Sequence, residues 1–453
     1  MSKQIIVIGG GISGLSLLHY LRQKYSARTD VKILLLEKEA SLGGTIRSVV
    51  KNGCLFEAGP NGFLDSKPRT LEFIAELGLV GELVRAGRDA QIRYICLNNV
   101  LHFFPMSPGG FFGFRPMRLR EKLRVFAEPF VARGTDPEES VYAFGARRLG
   151  EKFSQLFLDP MVSGIYGGDA RETVLRAAFS RIYDLEQKYG SLFKAMIKIK
   201  KEKKNGAETA GMPSGTLTSF RRGQAQFIET LGKRYSDNIL FNREVTAVTR
   251  GGGRFVVEGG GRRHEADELF ICTPSYQAAR MLQGVSPGLA DDLNRVQYAP
   301  MAVVGLVFPL SAFPKKPQGF GYLIPSSERK EVLGVLLESN IFPSRSPEGQ
   351  ILLRVMIGGA RHPSILEKAQ GELVRLAVDE VRLTLHAQGD PWEVFFASWP
   401  KGIPQYNRAC VAAEAKIAEE LRRWPGLYLV ANYRKGVSLN DCIENAWQAV
   451  FGG

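Results

Sequence analysis

MSKQIIVIGGGISGL, residues 1–15, is the stretch that decides the fold. Gln4 to Ile8 is a short apolar run rich in β-branched residues that stops at three glycines, the pattern of a buried strand running into a tight turn. Gly9, Gly11 and Gly14 stand at Gly-x-Gly-x-x-Gly spacing, with Gly10, Ile12 and Ser13 between them. The first glycine permits the turn, the second lets a pyrophosphate approach the backbone, and the third lets the next helix pack close to the strand. A helix from about Ser13 to Gln23 would aim its N-terminal amides and dipole at that phosphate. A glycine triplet alone is also found in ordinary loops. Here a second strand, Val31 to Leu36, follows and ends in Glu37, 23 residues past Gly14 and placed for a ribose hydroxyl. Strand, turn, helix, strand and acid in this order specify dinucleotide binding.

The 453 residues are too many for one small core and predict two or three domains. Apolar residues at 44% and charged residues at 23% are ordinary for a globular chain. A formal charge of +14 is not, and it favours a polyanionic partner: nucleic acid, acidic lipid or a carboxylate-bearing substrate. Aromatic-studded nucleic-acid modules and zinc-finger spacings are missing, so no nucleic-acid partner is expected. Cys54, Cys96, Cys272, Cys410 and Cys442 are scattered and odd in number, which argues for a reducing compartment and against a disulfide framework or a metal site. The chain opens on the nucleotide strand without a recognisable leader, and no apolar run reaches the ~18 residues of a spanning helix. The expectation is a cytoplasmic protein that lies on a membrane without crossing it.

Outward from the opening motif, Ser41 to Ser48 carries a second glycine doublet, Gly43 and Gly44, with Arg47 three positions on. It is either a plain turn or a loop passing close to the cofactor's phosphates. Cys54 to Gly62 reads as a strand entering the turn Gly59-Pro60-Asn61-Gly62, and Thr70 to Val84 as an amphipathic helix. A strand pair with a turn at Asn98 and Asn99 is predicted over about 92–106. Phe103 to Phe114 then holds five phenylalanines, followed by Arg115, Arg118, Arg120, Lys122 and Arg124. This stretch fits either a loop and helix packed on the core or an apolar rim set into a bilayer interface beside acidic lipid. Residues 135–215 look helical and end in Lys194 to Lys204, six lysines in eleven residues, expected as a solvated loop and also compatible with a membrane surface. A Gly/Ala/Ser/Pro-rich run continues to Ser219.

Helix returns from Gln226, and Glu265 to Cys272 reads as a strand that brings the chain back to the nucleotide domain. Between about 285 and 400, long alternating segments (Ala302 to Phe308, Glu331 to Leu337, Ile351 to Ile357) predict an antiparallel sheet. Gly426 to Ala431 is a last buried strand, and Gly436 to Val450 a last helix. The expected fold class is α/β: a discontinuous Rossmann-like nucleotide-binding domain (1–88, 215–284, 425–453), an inserted α+β substrate domain with an antiparallel sheet (89–110, 285–424), and a helical, membrane-facing region (111–214). Such interruption is frequent in oxidoreductases that hold FAD permanently.

The strings GGGISGL, LEKEASLGGTIRS, FEAGPNGF, EESVYAFGARRLGEKF, GIYGGDARE, GFGYLIPSSE and GVSLNDCIENA, in this order from Ile5 to Ala446, resemble those of the protoporphyrinogen oxidases. These are oxygen-dependent flavoenzymes that complete the porphyrin of haem. The opening motif is shared with amine oxidases and carotenoid desaturases, whereas the GPNG, IPSSE and NDCIE elements are more restricted. The resemblance implies FAD on Gly9 to Gly14, Glu37 with Lys38 at the adenosine ribose, and Gly43, Gly44 and Arg47 along the pyrophosphate. Gly59, Pro60, Asn61 and Gly62 with Val437, Ser438 and Leu439 would lie near the isoalloxazine, and Val245 would meet the adenine. Arg93 matches an arginine that pairs with a propionate, Phe320 and Leu323 a pair that sandwiches a pyrrole, Gly164 a glycine close to the macrocycle and, across a gap, Met356 an apolar cleft residue. From the residues alone, Arg93 is an exposed strand residue and Phe320 and Leu323 are sheet-core residues.

Under the resemblance the substrate is a tetrapyrrole, protoporphyrinogen IX, with molecular oxygen as acceptor and acidic lipid as a peripheral contact; a homodimer is left open. Coproporphyrinogen III, with four carboxylates instead of two, is the nearest alternative, followed by amine or polyene substrates and a tetrapyrrole carrier. No acid/base residue is assigned. His19, His102, His264, His362 and His386 are dispersed and read as structural. The chain departs from the family at Asn407 to Val411, where NRACV follows Ile403 to Tyr406, which puts the local contact at that flank of the cleft in question.

Overall fold

The computed structural model describes residues 2–105, 107–204 and 215–452. The opening stretch folds as strand Lys3–Ile8 and helix Ile12–Lys24, followed by strand Val31–Leu36, which lies parallel to the first with Lys3 opposite Val31 and Ile8 opposite Leu36. The sheet grows to five parallel strands, in the order Ile239–Leu240, Val31–Leu36, Lys3–Ile8, Glu268–Ile271 and Leu427–Leu429. Parallel strands must be covered on both faces, and alternation along the first strand serves both. Ile5 and Val7 enter the core under the helices Ile12–Lys24, Ala225–Arg234 and Leu439–Phe451. Ile6 and Ile8 enter the core under Ser275–Leu282 and a three-stranded meander, Val245–Gly251, Arg254–Gly259 and Arg262–Ala266. The helices Pro287–Asn294 and Arg408–Leu421, within the stretch read as substrate domain, also pack here through Leu289, Leu293, Ala413 and Ile417.

The second sheet has seven strands, in the order Glu393–Pro404, Tyr298–Pro309, Gln350–Gly358, Val332–Leu337, Gly321–Leu323, Arg93–Leu97 and Val100–Phe103. Its last two strands form the expected hairpin, with Asn98 and Asn99 both at positive φ (50° and 62°), as a two-residue hairpin turn requires. The expectation of an antiparallel sheet needs one correction. Gly321–Leu323 and Arg93–Leu97 pair in parallel, because strands this far apart in the chain are not bound by the geometry of a hairpin. Helix Gln370–Leu385 covers one face over Tyr322, Val335, Leu353 and Val355. The opposite face looks toward the loops of the nucleotide sheet.

Two further expectations are overturned. The helix read from Thr70 to Val84 spans Pro68–Glu76. Gly78 at φ +73° reverses the chain, Val80 is exposed, and Leu83–Arg85 becomes a strand against Leu217–Phe220. The lysine-rich stretch is part of helix Leu192–Lys204, not a loop. Its first turn is fixed by the fully buried Glu128, whose carboxylate accepts from the amides of Leu192 (2.9 Å) and Phe193 (3.3 Å) and from the Ser191 hydroxyl (2.5 Å). Residues 205–214 of the run that follows lie outside the described residues. Among the described residues no helix is long and apolar enough to cross a membrane.

Candidate functional site

The three glycines of the opening motif differ physically. Gly9 sits at φ +104°, a conformation that side chains rarely adopt. A Cβ on Gly14 would lie 1.9 Å from the Gly9 carbonyl oxygen, so the helix packs against the turn only because residue 14 has none. A Cβ on Gly11 would meet nothing within 4 Å. Gly11 also stands at the N-terminal end of the following helix, beside its first amides. Helix Ile12–Lys24 has Gly11 at its N-cap and no side chain capping it, which leaves those donors for an anion. The buried Glu37 accepts from the Gly10 amide at 2.6 Å through Oε2 and from the Glu39 amide at 2.9 Å through Oε1, and this fixes its carboxylate beside the loop.

The second doublet belongs to the same site. The Gly43 amide donates to the Gly10 carbonyl at 2.9 Å, and Gly44 faces the Gly11 Cα. The exposed Arg47 donates to the Gly44 carbonyl (3.1 Å) and lies 5.6 Å from the centre of the Trp399 ring. Val245 is buried next to Leu36, on a segment tied to Glu37 by the Arg243 amide (2.8 Å). Lys38 is not drawn in: it is exposed and paired with Glu39 at 3.1 Å. Ser438 caps the last helix in a reciprocal box with Asp441, Leu439 enters the first core, and Val437 packs beside Tyr406. Asn440, one residue further, donates to the Leu64 carbonyl (3.0 Å) and so joins this helix to the segment after Gly62.

Residues 57–62 are held mainly from the seven-stranded sheet, by side chains to which sequence reading assigned no role. Arg354 donates to the carbonyls of Glu57 (2.8 Å) and Gly59 (2.5 Å), Trp399 to that of Ala58 (2.8 Å), and Arg345 to that of Asn61 (3.1 Å). Arg345 also bonds the Asn61 side chain, the Ser219 hydroxyl (2.9 Å), Glu338 (2.8 Å) and Glu57 (3.2 Å). Burial pushes the Glu57 carboxyl up to about 7, against the opposing pull of Arg345, the Ser48 hydroxyl, the Gln224 amide and Arg354. The loop's own donors are left over. Among the described residues, the amides of Gly59 and Asn61 and the buried Asn61 Nδ2 have no protein acceptor. The sequence signal for Arg345 and Arg354 was weak, since charged residues in apolar surroundings mark burial without naming the partner.

The five candidate substrate residues gather on one face of the large sheet. Arg93 lies opposite Gly321 with its guanidinium 5.1 Å over the Phe320 ring, and Leu323 lies opposite Ile95. Leu323 approaches both Gly164 and Gly334, where added Cβ atoms would lie 2.9 and 3.0 Å from it, and Gly334 is the register partner of Met356. Gly164 is carried by helix Asp159–Tyr166, which the buried Asp159 docks onto the sheet by accepting from the Ser326 amide (2.7 Å) and pairing with Arg361 (2.8 Å). Met356 and Arg354 are two residues apart on one strand, so the face that carries Met356 also reaches Glu57 and Gly59. The departure at Asn407 to Val411 opens helix Arg408–Leu421. Asn407 Oδ1 accepts from the Cys410 amide (3.0 Å), and Tyr406 still bridges the Gly436 amide (2.8 Å) and the Asn432 carbonyl (2.7 Å).

A Rossmann-like sheet whose glycine loops face a second, mostly antiparallel sheet is the plan of a flavin-type oxidoreductase. Residues 12–450 match the family model described as flavin containing amine oxidoreductase. Protoporphyrinogen oxidase 1 of Arabidopsis thaliana chloroplasts is 30% identical over 99% of this chain and 87% of its own length. Human protoporphyrinogen oxidase is 30% identical over 99% and 98%. Coproporphyrinogen III oxidase of Bacillus subtilis is 26% identical over 99% and 97%. Among solved structures, one from Exiguobacterium provisionally named protoporphyrinogen oxidase has a TM-score of 0.84 at 22% identity, covering 100% of this chain and 98% of its own. The chain belongs to the protoporphyrinogen oxidase family, within the flavin-containing amine oxidoreductases, and is an enzyme of that oxidoreductase class.

Proposed function

We propose that this chain binds FAD over Gly9 to Gly14, Glu37, Gly43 and Gly44, with Gly59 to Gly62 at the flavin ring, and oxidises protoporphyrinogen IX to protoporphyrin IX. Oxygen takes the six electrons in three rounds and leaves as hydrogen peroxide. The open space over Gly11, the uncapped helix start and, among the described residues, the unpartnered amides of Gly59 and Asn61 support the cofactor assignment. When bound, the flavin supplies the hydride acceptor. Oxidising a porphyrinogen takes hydride from a carbon bridge and protons from pyrrole nitrogens, so the chain's own task is to hold a flat, apolar macrocycle in place and keep water out. Phe320, Leu323, Met356 and the bare backbone at Gly164 suit that task.

The observation that carries the substrate assignment is the state of Arg93. The strands of the large sheet bear three Lys or Arg side chains: Arg93, Arg354 and Lys401. Arg354 is committed to two carbonyls, and Lys401 lies 4.1 Å over the Tyr276 ring. Arg93 touches the Phe320 ring and, among the described residues, has no carboxylate partner. One available guanidinium suits a substrate with two propionates better than one with four carboxylates. The test is anaerobic bleaching of the flavin by protoporphyrinogen IX. Arg93→Ala is expected to raise KM at least about tenfold, as for a lost charged pair; an unchanged KM would rule Arg93 out as the propionate partner.

The helical region supports a peripheral membrane position. Phe103, Phe112, Leu119, Leu123, Phe126 and Phe130 are exposed, Phe130 at 90%, and Ile165 beside Gly164 is exposed as well. They are interspersed with the exposed Arg115, Arg118 and Arg120, so an apolar rim with cationic neighbours would meet acidic lipid next to the substrate face; Lys122 and Arg124 of the same basic run are instead turned inward, onto the carbonyls of Phe112 and of Arg147 and Arg148.

A further inference from the structure

We infer that Arg345, Arg354 and Trp399 are positioning residues: Arg354 and Trp399 from strands of the substrate sheet, and Arg345 from the turn Pro343–Arg345 between two of them, fix the carbonyl side of residues 57–61, so that the opposite side presents its amides to the flavin. This rests on the proposed placement of FAD at Gly59 to Gly62. Four carbonyls, those of Glu57, Ala58, Gly59 and Asn61, are taken by side chains more than 280 residues away in the chain, at 2.5 to 3.1 Å. Among the described residues, no backbone hydrogen bond joins residues 57–62 to one another. Gly59 is also pressed against the Thr45 carbonyl, where a Cβ would come within 1.8 Å. The loop is thus fixed from both flanks, with the amides of Gly59 and Asn61 and the Asn61 Nδ2 left without protein acceptors among the described residues.

Those leftover donors are the second half of the inference. The Asn61 Nδ2 is buried, and a buried donor without an acceptor costs about 1–3 kcal/mol; with the half-buried amides of Gly59 and Asn61 beside it, the loop calls for a ligand that carries acceptors. The pyrimidine edge of an isoalloxazine ring carries carbonyl oxygens and ring nitrogens of that kind. Since Met356 and Arg354 lie two residues apart on one strand, the spacing between the macrocycle's apolar seat and the flavin-facing loop is set within a single sheet. Donors aimed at the ring's acceptors stabilise the reduced, more electron-rich form, so the clamp also bears on the flavin's potential.

Two variants test this: Arg354→Met, which keeps the stem but removes the donors, and Trp399→Phe, which removes one donor and keeps an aromatic ring by Arg47. Measured quantities are FAD dissociation by flavin fluorescence, the midpoint potential of the bound flavin, apoprotein unfolding, and kcat and KM separately. FAD dissociation constants are expected to rise at least about tenfold for Arg354→Met and about threefold for Trp399→Phe, with a lowered flavin potential. Loss of kcat should exceed any change in KM, and the apoprotein of Trp399→Phe should unfold as the parent does. If Arg354→Met does not fold, Trp399→Phe decides alone. Unchanged FAD affinity and potential in a folded variant would overturn the clamp while leaving the flavin reading intact. Failure of the parent protein to take up FAD would overturn both.

Discussion

Gly11 and Gly14 are three residues apart and lack a side chain for opposite reasons, which makes them separable by experiment. Gly14→Ala would drive a Cβ into the Gly9 carbonyl and is expected to lower the stability of the apoprotein itself. Gly11 has ordinary φ of −75° and open space around it, so Gly11→Ala should leave apoprotein unfolding unchanged and weaken FAD at least about tenfold, read by fluorescence titration. Equal effects of both changes on the apoprotein would contradict the ligand space over Gly11. Glu57 gives a residue-scale prediction in pH. Its carboxyl titrates at about 7 when folded against an ordinary 4.5, so between these values the folded state keeps a proton that the unfolded chain has lost. Its contribution to stability is present below pH 4.5 and is lost as pH rises to 7; Glu57→Gln should flatten the slope of unfolding free energy across that window. These roles differ in how far they could be read. The glycine spacing is local and visible in fifteen residues, whereas the Glu57 partners Arg345 and Arg354 lie 288 and 297 positions away, where no periodicity reaches.

At the scale of elements, strands with an apolar run of their own were legible, and elements fixed by a remote contact were not. Val31–Leu36 carries its strand character in its own sequence, five apolar residues in six, as an interior strand of a parallel sheet covered on both faces requires. Leu192–Lys204 does not show its helical state so plainly, because its start depends on Glu128, more than sixty residues earlier, supplying the cap. Glu128 belongs to a buried knot in the helical region, where the fully buried Arg148 pairs with it at 2.9 Å and with Glu186 at 2.7 Å. Arg148→Ala removes the one guanidinium that, among the described residues, pairs with the buried Glu128, while Glu186 keeps Arg147 at 3.0 Å, and it is expected to cost about 3–5 kcal/mol of stability, measured by urea unfolding. A cost near zero would mean that the knot is dispensable. The exposed rim predicts a membrane effect confined to this region. Replacing Leu123, Phe126 and Phe130 by serine should reduce co-flotation with vesicles of anionic lipid at least about tenfold while flavin content and kcat stay as in the parent; retained flotation would remove the bilayer reading.

For the whole molecule, the chain visits the nucleotide sheet three times and the large sheet twice, and each return is marked by a buried strand that sequence patterning could locate. Patterning could not give the parallel pairing of Arg93–Leu97 with Gly321–Leu323 or the single face on which Arg93, Leu323 and Met356 assemble, since register between segments over 200 residues apart is settled by packing. On the proposed reading, that assembly is what would turn a flavin site into a site for a flat dicarboxylate. The most direct measurement is oxygen uptake together with porphyrin fluorescence after FAD-loaded protein is mixed with protoporphyrinogen IX and, separately, with coproporphyrinogen III. Faster oxidation of the dicarboxylate, slowed by Arg93→Ala, is the predicted result. Oxidation of the tetracarboxylate alone, or of neither while FAD stays bound, would contradict it.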